Sequence, residues 1–131
     1  MKNSTVIKLV LLVSGLLAAG VGGAILIAPA DFYATYGIKL GGDASLANEV
    51  RAPGGALLAT GALMLAGVFV ARLAVVSTVI AAAVYLSYGL SRLLSMAVDG
   101  SPDGGLVGAA AFELTIGAIS LIALLRYRMS G

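Results

Sequence analysis

The sequence predicts an all-α membrane fold: a four-transmembrane-helix antiparallel bundle with a short interfacial helix in the first extracytoplasmic loop. Two observations carry this. Of 131 residues, 60% are hydrophobic and only 11% are charged, with a mean hydropathy of +1.08. A soluble domain needs more polar surface than that. The apolar residues also fall in four long blocks separated by turn signals, as membrane spans require. One domain covering residues 1–131 is the natural organisation.

The first span is expected over about residues 9–28, apolar apart from Ser14, with Lys2 and Lys8 before it. Pro29 ends it, since a proline inside a helix removes a backbone hydrogen bond. Ala28-Pro29-Ala30 has the small-x-small form of a cleavage site, but the apolar run is too long for a signal-peptide core. A loop over about residues 29–52 follows. Pro29 suits the first turn of a short helix and Gly37 its end. Phe32, Tyr33 and Tyr36 share one face of that helix, which suits either the headgroup region or core packing. Gly41-Gly42-Asp43 is a turn, with Asp43 or Ser45 available to cap the next helix.

The second span is expected over about residues 53–71, its helix starting several residues earlier, near Leu46, with a kink at Pro53. The third, over about residues 73–98, follows so closely that the two form an antiparallel hairpin. A turn at Asp99-Gly100-Ser101-Pro102-Asp103-Gly104-Gly105 leads to the fourth span, over about residues 106–125.

Four spans place both termini on one side. Lys2, Lys8, Arg72, Arg126 and Arg128 fall on that side, with no carboxylate side chain. Lys39 and Arg51 fall on the other, with Asp31, Asp43, Glu49, Asp99 and Asp103. The positive-inside rule then puts both termini in the cytoplasm.

Small residues line the spans: Gly15, Ala19 and Gly23 in the first, Gly20 and Ala24 beside them, and Gly54, Gly61 and Gly67 in the second. Such faces let helix backbones approach closely in lipid, within one chain or between chains. No repeat relates the two halves, so an inverted-repeat transporter gains no support.

The chain has no cysteine and no histidine. That removes disulfides, thiol nucleophiles, imidazole bases and the usual zinc and haem ligands. No metal site, catalytic residue or cofactor is indicated, and no basic patch with interleaved aromatics points to nucleic acid.

Ionisable groups within a bilayer are costly, and they are usually functional or paired. Counting residues from the non-cytoplasmic end, Glu113 lies roughly 10–12 Å deep in the fourth span, and Arg92 roughly 9 Å deep in the third. Glu49 and Arg51 sit on the same side where the second span begins. These four are expected to form one cluster, since arginine can grip a carboxylate through two parallel hydrogen bonds. Tyr85, Tyr88, Arg92, Ser95 and Asp99 follow spacings of three and four, so they share one helical face. That stripe should face the bundle interior. Glu113 and Ser120 share a face of the fourth span with Gly117 between them. The site candidates are therefore Glu49, Arg51, Tyr85, Tyr88, Arg92 and Glu113. They form either an outward-opening polar pocket for a ligand headgroup or protons, or a buried ion-pair lock. Asp99 reads as a turn residue, and Lys39, Asp31 and Asp103 as solvated charges.

The segment Asn48-Glu49-Val50-Arg51-Ala52-Pro53-Gly54-Gly55, Arg92 followed by Asp99-Gly100-Ser101-Pro102, and Glu113 in the last span carry a resemblance. Together they resemble a bacterial family of small four-helix membrane proteins known only as a domain of unknown function. The chain departs from that pattern where only Pro53 separates Ala52 from the glycine pair, in place of the more usual two residues. The resemblance implies that Glu49, Arg51, Arg92 and Glu113 matter, and it implies no reaction. The plan is also similar, at the level of fold alone, to the DoxX-like group.

Three function classes follow. The bundle binds a membrane lipid or quinone-like amphiphile with its polar end near Arg92 and Glu113. Alternatively it is a homo-oligomer, or an accessory subunit packed through glycine faces onto a larger membrane complex. A proton-coupled transporter is the third, using Glu113 as carrier, although small multidrug exporters place their carboxylate in the first span. An enzyme would have to rely on Glu113 and Tyr88, and nothing in the spacing requires that.

Overall fold

The computed structural model describes residues 2–130, with side chains described from 5 to 126. Lys2 and Arg128, two of the cations in the charge argument, have side chains outside the described residues. The chain folds as α1 (Lys2–Ile27), α2 (Pro29–Ala34), α3 (Ala44–Phe69), a 3₁₀ turn (Ala71–Leu73), α4 (Ala74–Asp99) and α5 (Gly104–Ser130). Four segments, Thr5–Ile27, Ala44–Phe69, Ala71–Asp99 and Gly104–Arg126, are long and apolar enough to cross a membrane. A helix of 26 residues such as α3 is roughly 39 Å long, more than a hydrocarbon core requires. The architecture is that of a multi-pass membrane protein.

The local chemistry sets the boundaries. Pro29 stands in the first turn of α2, and Gly37, with φ +74°, takes the chain out of the turn that follows. The Asp43 carboxylate accepts from the backbone N–H groups of Ser45 (2.9 Å) and Leu46 (3.2 Å), capping α3. That cap starts α3 at Ala44, close to the start near Leu46 expected from the sequence and ahead of the apolar span from 53. Pro53 is therefore an internal residue, whose missing N–H withholds a hydrogen bond from the Glu49 carbonyl. The connection expected over 29–52 is correspondingly shorter, and much of it is helix. Asp103, read from sequence as a plain solvated charge, caps α5 through the Gly105 N–H (2.8 Å).

The helices pack as two close pairs, α1 with α3 and α4 with α5. Among the described residues α3 and α5 do not approach each other, so α1 and α4 hold the diagonal. In the first pair the backbones nearly touch. A Cβ on Gly61 would lie 2.5 Å from the Ala19 nitrogen, and one on Gly22 would lie 2.5 Å from the Gly54 oxygen. The glycines used are thus Gly15, Gly22, Gly54 and Gly61, whereas Gly20 and Gly23 face open space. In the second pair glycine and leucine interlock twice: Gly89 receives Leu114, and Gly117 receives Leu86. Ile7, Leu11, Met64, Ala81, Tyr85, Ile116 and Ala123 form the core.

Candidate functional site

At the α2 end the two pairs separate around a cavity of about 700 Å³. That size falls within the usual range for small-molecule sites. Its wall is largely aliphatic: Leu17, Val21 and Ile25 from α1, Leu57 from α3, Val84 from α4 and Leu106 from α5. The α4 side also brings Tyr85, Tyr88, Ser91, Arg92 and Ser95, spaced so that each lies a turn or less from the next on one face. The α5 side brings Gly105, Gly108, Ala109, Phe112 and Glu113, again one helical face. Phe112 lines the cavity while remaining 49% exposed, so it stands at the edge.

Arg92 and Glu113 meet across the α4–α5 interface. Arg92 Nε donates to Glu113 Oε1 at 2.7 Å, and Nη2 donates to Oε2 at 3.1 Å. This is the two-pronged geometry that a guanidinium offers a carboxylate. The side chains are 30% and 15% exposed, so the pair faces the cavity and is not sealed within protein. The Arg92 guanidinium also lies 5.9 Å from the centre of the Tyr88 ring, within cation–π range.

The helix α2 covers this end of the cavity. Phe32 stacks edge-on against Tyr33 and Tyr36, with ring centroids 5.2 and 5.7 Å away, and all three rings line the cavity. Tyr36 reaches the first turn of α5, where a Cβ on Gly105 would lie 2.9 Å from its ring. Burial raises the Tyr33 phenol above its ordinary value, the nearby Arg92 charge opposing it in part. Tyr33 therefore remains an un-ionised hydroxyl at neutral pH.

Of the six site residues expected from sequence, the structure brings four to this cavity: Tyr85, Tyr88, Arg92 and Glu113. Tyr85 is committed elsewhere, its hydroxyl donating to the Ser14 carbonyl at 2.6 Å. Glu49 and Arg51 lie outside the cavity wall, and the four-membered cluster is a two-membered pair. Both lie on α3. Both residues sit in its second turn, exposed, and Arg51 Nε donates to the Leu26 carbonyl at the end of α1 at 3.1 Å. Asp99 also stays outside, accepting from Ser95 Oγ at 3.3 Å. Among the described residues no group of three or more acidic, histidine or cysteine side chains is placed to hold a metal.

Sequence reasoning missed the α5 wall. The signal was present: Gly105, Gly108, Ala109, Phe112 and Glu113 recur at i, i+3, i+4, i+7 and i+8. It also left Phe32, Tyr33 and Tyr36 open between headgroup and core, and the structure assigns them to the cavity.

A model of the domain of unknown function DUF4345 matches residues 6–124, and the chain belongs to that family. No curated protein and no solved structure matches the chain.

Proposed function

We propose that this protein binds a membrane amphiphile, a lipid or quinone-like molecule, within its bundle. The observation that carries the reading is the cavity itself: about 700 Å³, aliphatic along its walls, with phenols and the Arg92–Glu113 pair together on its lining. An amphiphile matches that division, its tail along Leu17, Val21 and Leu57 and its polar end at the pair. Phe112, both lining and exposed, supports entry from the lipid side. The surplus of Lys and Arg at the termini and at Arg72 supports an orientation with both termini in the cytoplasm, and the resemblance to a bacterial family supports a bacterial cytoplasmic (inner) membrane. On that orientation α2 lies at the outer interface, where its aromatic residues are at home.

Accessory-subunit and transporter readings have less behind them. Most of the glycines that a docking face would use are filled by neighbours within the chain. Both Glu113 oxygens are engaged by Arg92, so the transporter reading lacks a free carboxylate in the cavity.

The test is native mass spectrometry of the detergent-purified protein with lipid extraction. Gly108 lines the cavity, and a Cβ there meets nothing within 4 Å, so Gly108→Leu adds bulk without a clash at Cβ. A small molecule retained by wild type and lost from Gly108→Leu and Arg92→Gln is the expected result. Equal retention by all three proteins places the molecule on the outer surface and overturns the reading.

A further inference from the structure

We infer that the polar end of the bound amphiphile is an uncharged, acceptor-rich group, a carbonyl head of the quinone or ester kind. The inference rests on the amphiphile-binding reading and narrows it by charge and by hydrogen-bond inventory.

Charge comes first. Among the residues that line the cavity Arg92 is the sole cation and Glu113 the sole carboxylate. They are bonded to each other at both prongs, so the cavity is formally neutral. A phosphate or ammonium head would find no spare countercharge there, which is unfavourable. To gain one, it would have to break the pair and leave the other partner uncompensated.

The donors come second. A guanidinium has five N–H donors. Glu113 takes two of Arg92's, and five less two leaves three. Among the described residues the hydroxyls of Tyr33, Tyr36 and Tyr88 make no hydrogen bond to protein, and all three residues line the cavity. The raised titration of Tyr33 keeps that phenol a donor. Each Glu113 oxygen already accepts one bond. The three remaining Arg92 donors can only donate, and a carbonyl head supplies acceptors for them without bringing charge.

The shape of this end agrees. Phe32, Tyr33 and Tyr36 form an edge-to-face cluster, and Tyr88 lies beside the guanidinium. Flat aromatic surfaces accept a planar conjugated ring as readily as an ester.

The test is a competition on the full-length protein in detergent, read by native mass spectrometry. Decylubiquinone, dioleoylglycerol and dioleoylphosphatidylglycerol are offered in equal amounts. Wild type is expected to retain a neutral carbonyl ligand at least tenfold over the anionic lipid. Which neutral probe is retained separates a quinone source from an ester source. Glu113→Gln frees the Arg92 charge, and its preference should move tenfold or more toward phosphatidylglycerol. Preference of the wild type for phosphatidylglycerol overturns the inference while leaving amphiphile binding intact, and that comparison needs no variant to fold. Retention of none of the three, with Gly108→Leu and wild type alike, overturns the binding reading and the inference with it.

Discussion

The α1–α3 seam and the space between the two helix pairs share α1 and α3, yet one is closed and the other open. Along the seam Gly15, Gly22, Gly54 and Gly61 leave room for the facing helix, whose backbone or side chains (Leu65, Ile25) occupy the space a Cβ would take. Across the open space Tyr85, Tyr88, Arg92, Phe112 and Glu113 of the α4–α5 pair face Leu17, Val21 and Ile25 of α1 and Leu57 of α3. In lipid there is no hydrophobic force to drive helices together, so close packing and polar contacts decide which surfaces meet. Glycine placement thus closes the seam, whereas the cavity is lined by side chains from all four long helices, with Gly105 and Gly108 among the α5 residues.

Filling the seam should have the largest effect. In Gly61→Leu the new Cβ would lie 2.5 Å from the Ala19 backbone, which cannot swing aside as a side chain can. A loss of about 3 kcal/mol or more is expected, at the upper end for overpacked sites. Thermal unfolding in detergent checks it. Gly108→Leu is the matching change on the cavity side and should leave the melting temperature level or slightly higher, since leucine is the better helix former by roughly 1 kcal/mol. Equal destabilisation by the two would erase the distinction between seam and cavity.

Next in size is the pair that bridges α4 and α5. Glu113→Gln leaves Arg92 without its countercharge. Removing one partner of a fully buried pair costs about 3–5 kcal/mol. Here both side chains retain some exposure, and about 2 kcal/mol is expected on the same basis. The double variant Arg92→Met/Glu113→Met should recover most of that loss, because apolar groups of similar volume can replace an ion pair. It should not recover ligand retention. A double variant that restores both would make the pair a structural lock and nothing more.

The sequence made the four spans legible because their apolar runs are long and their turns carry strong signals at Pro29, Gly41-Gly42 and Gly100. The Arg92–Glu113 pairing was also legible, since two opposite charges at similar depth have few other partners. Glu49 and Arg51 were misplaced for a specific reason. They were grouped with Arg92 by side and depth alone, which do not fix the direction in which a helix presents them; both are exposed on α3, and Arg51 bonds the Leu26 carbonyl. The glycine faces were recognised as packing surfaces, but period four alone chose Gly23 where the structure uses Gly22. A spacing of three and a spacing of four lie on one broad stripe, and only the partner helix selects between them.

A smaller effect is expected at Tyr85, which lies on the boundary between seam and cavity. Its hydroxyl donates to the Ser14 carbonyl at 2.6 Å from a ring that also lines the cavity. Tyr85→Phe should cost about 1 kcal/mol, the usual net value of one such bond. Ligand retention should be unchanged, because that hydroxyl is not available to the cavity. A loss of retention without a change in melting temperature would move Tyr85 from scaffold to site.

The smallest effect tests the closed region's one loose end. Ser14 is 1% exposed, and its Oγ has no hydrogen-bond partner among the described residues, although its carbonyl is bonded. Burying a hydroxyl with no partner is unfavourable, so its removal relieves a cost. Ser14→Ala should therefore leave stability level or raise it by up to about 1 kcal/mol, while Tyr85 keeps its bond to the same backbone carbonyl. Marked destabilisation would mean that the hydroxyl is satisfied in the membrane by water or another group, and that the packed half of the bundle is wetter than its side chains indicate. The contrast between a closed seam and an open cavity would then be one of degree.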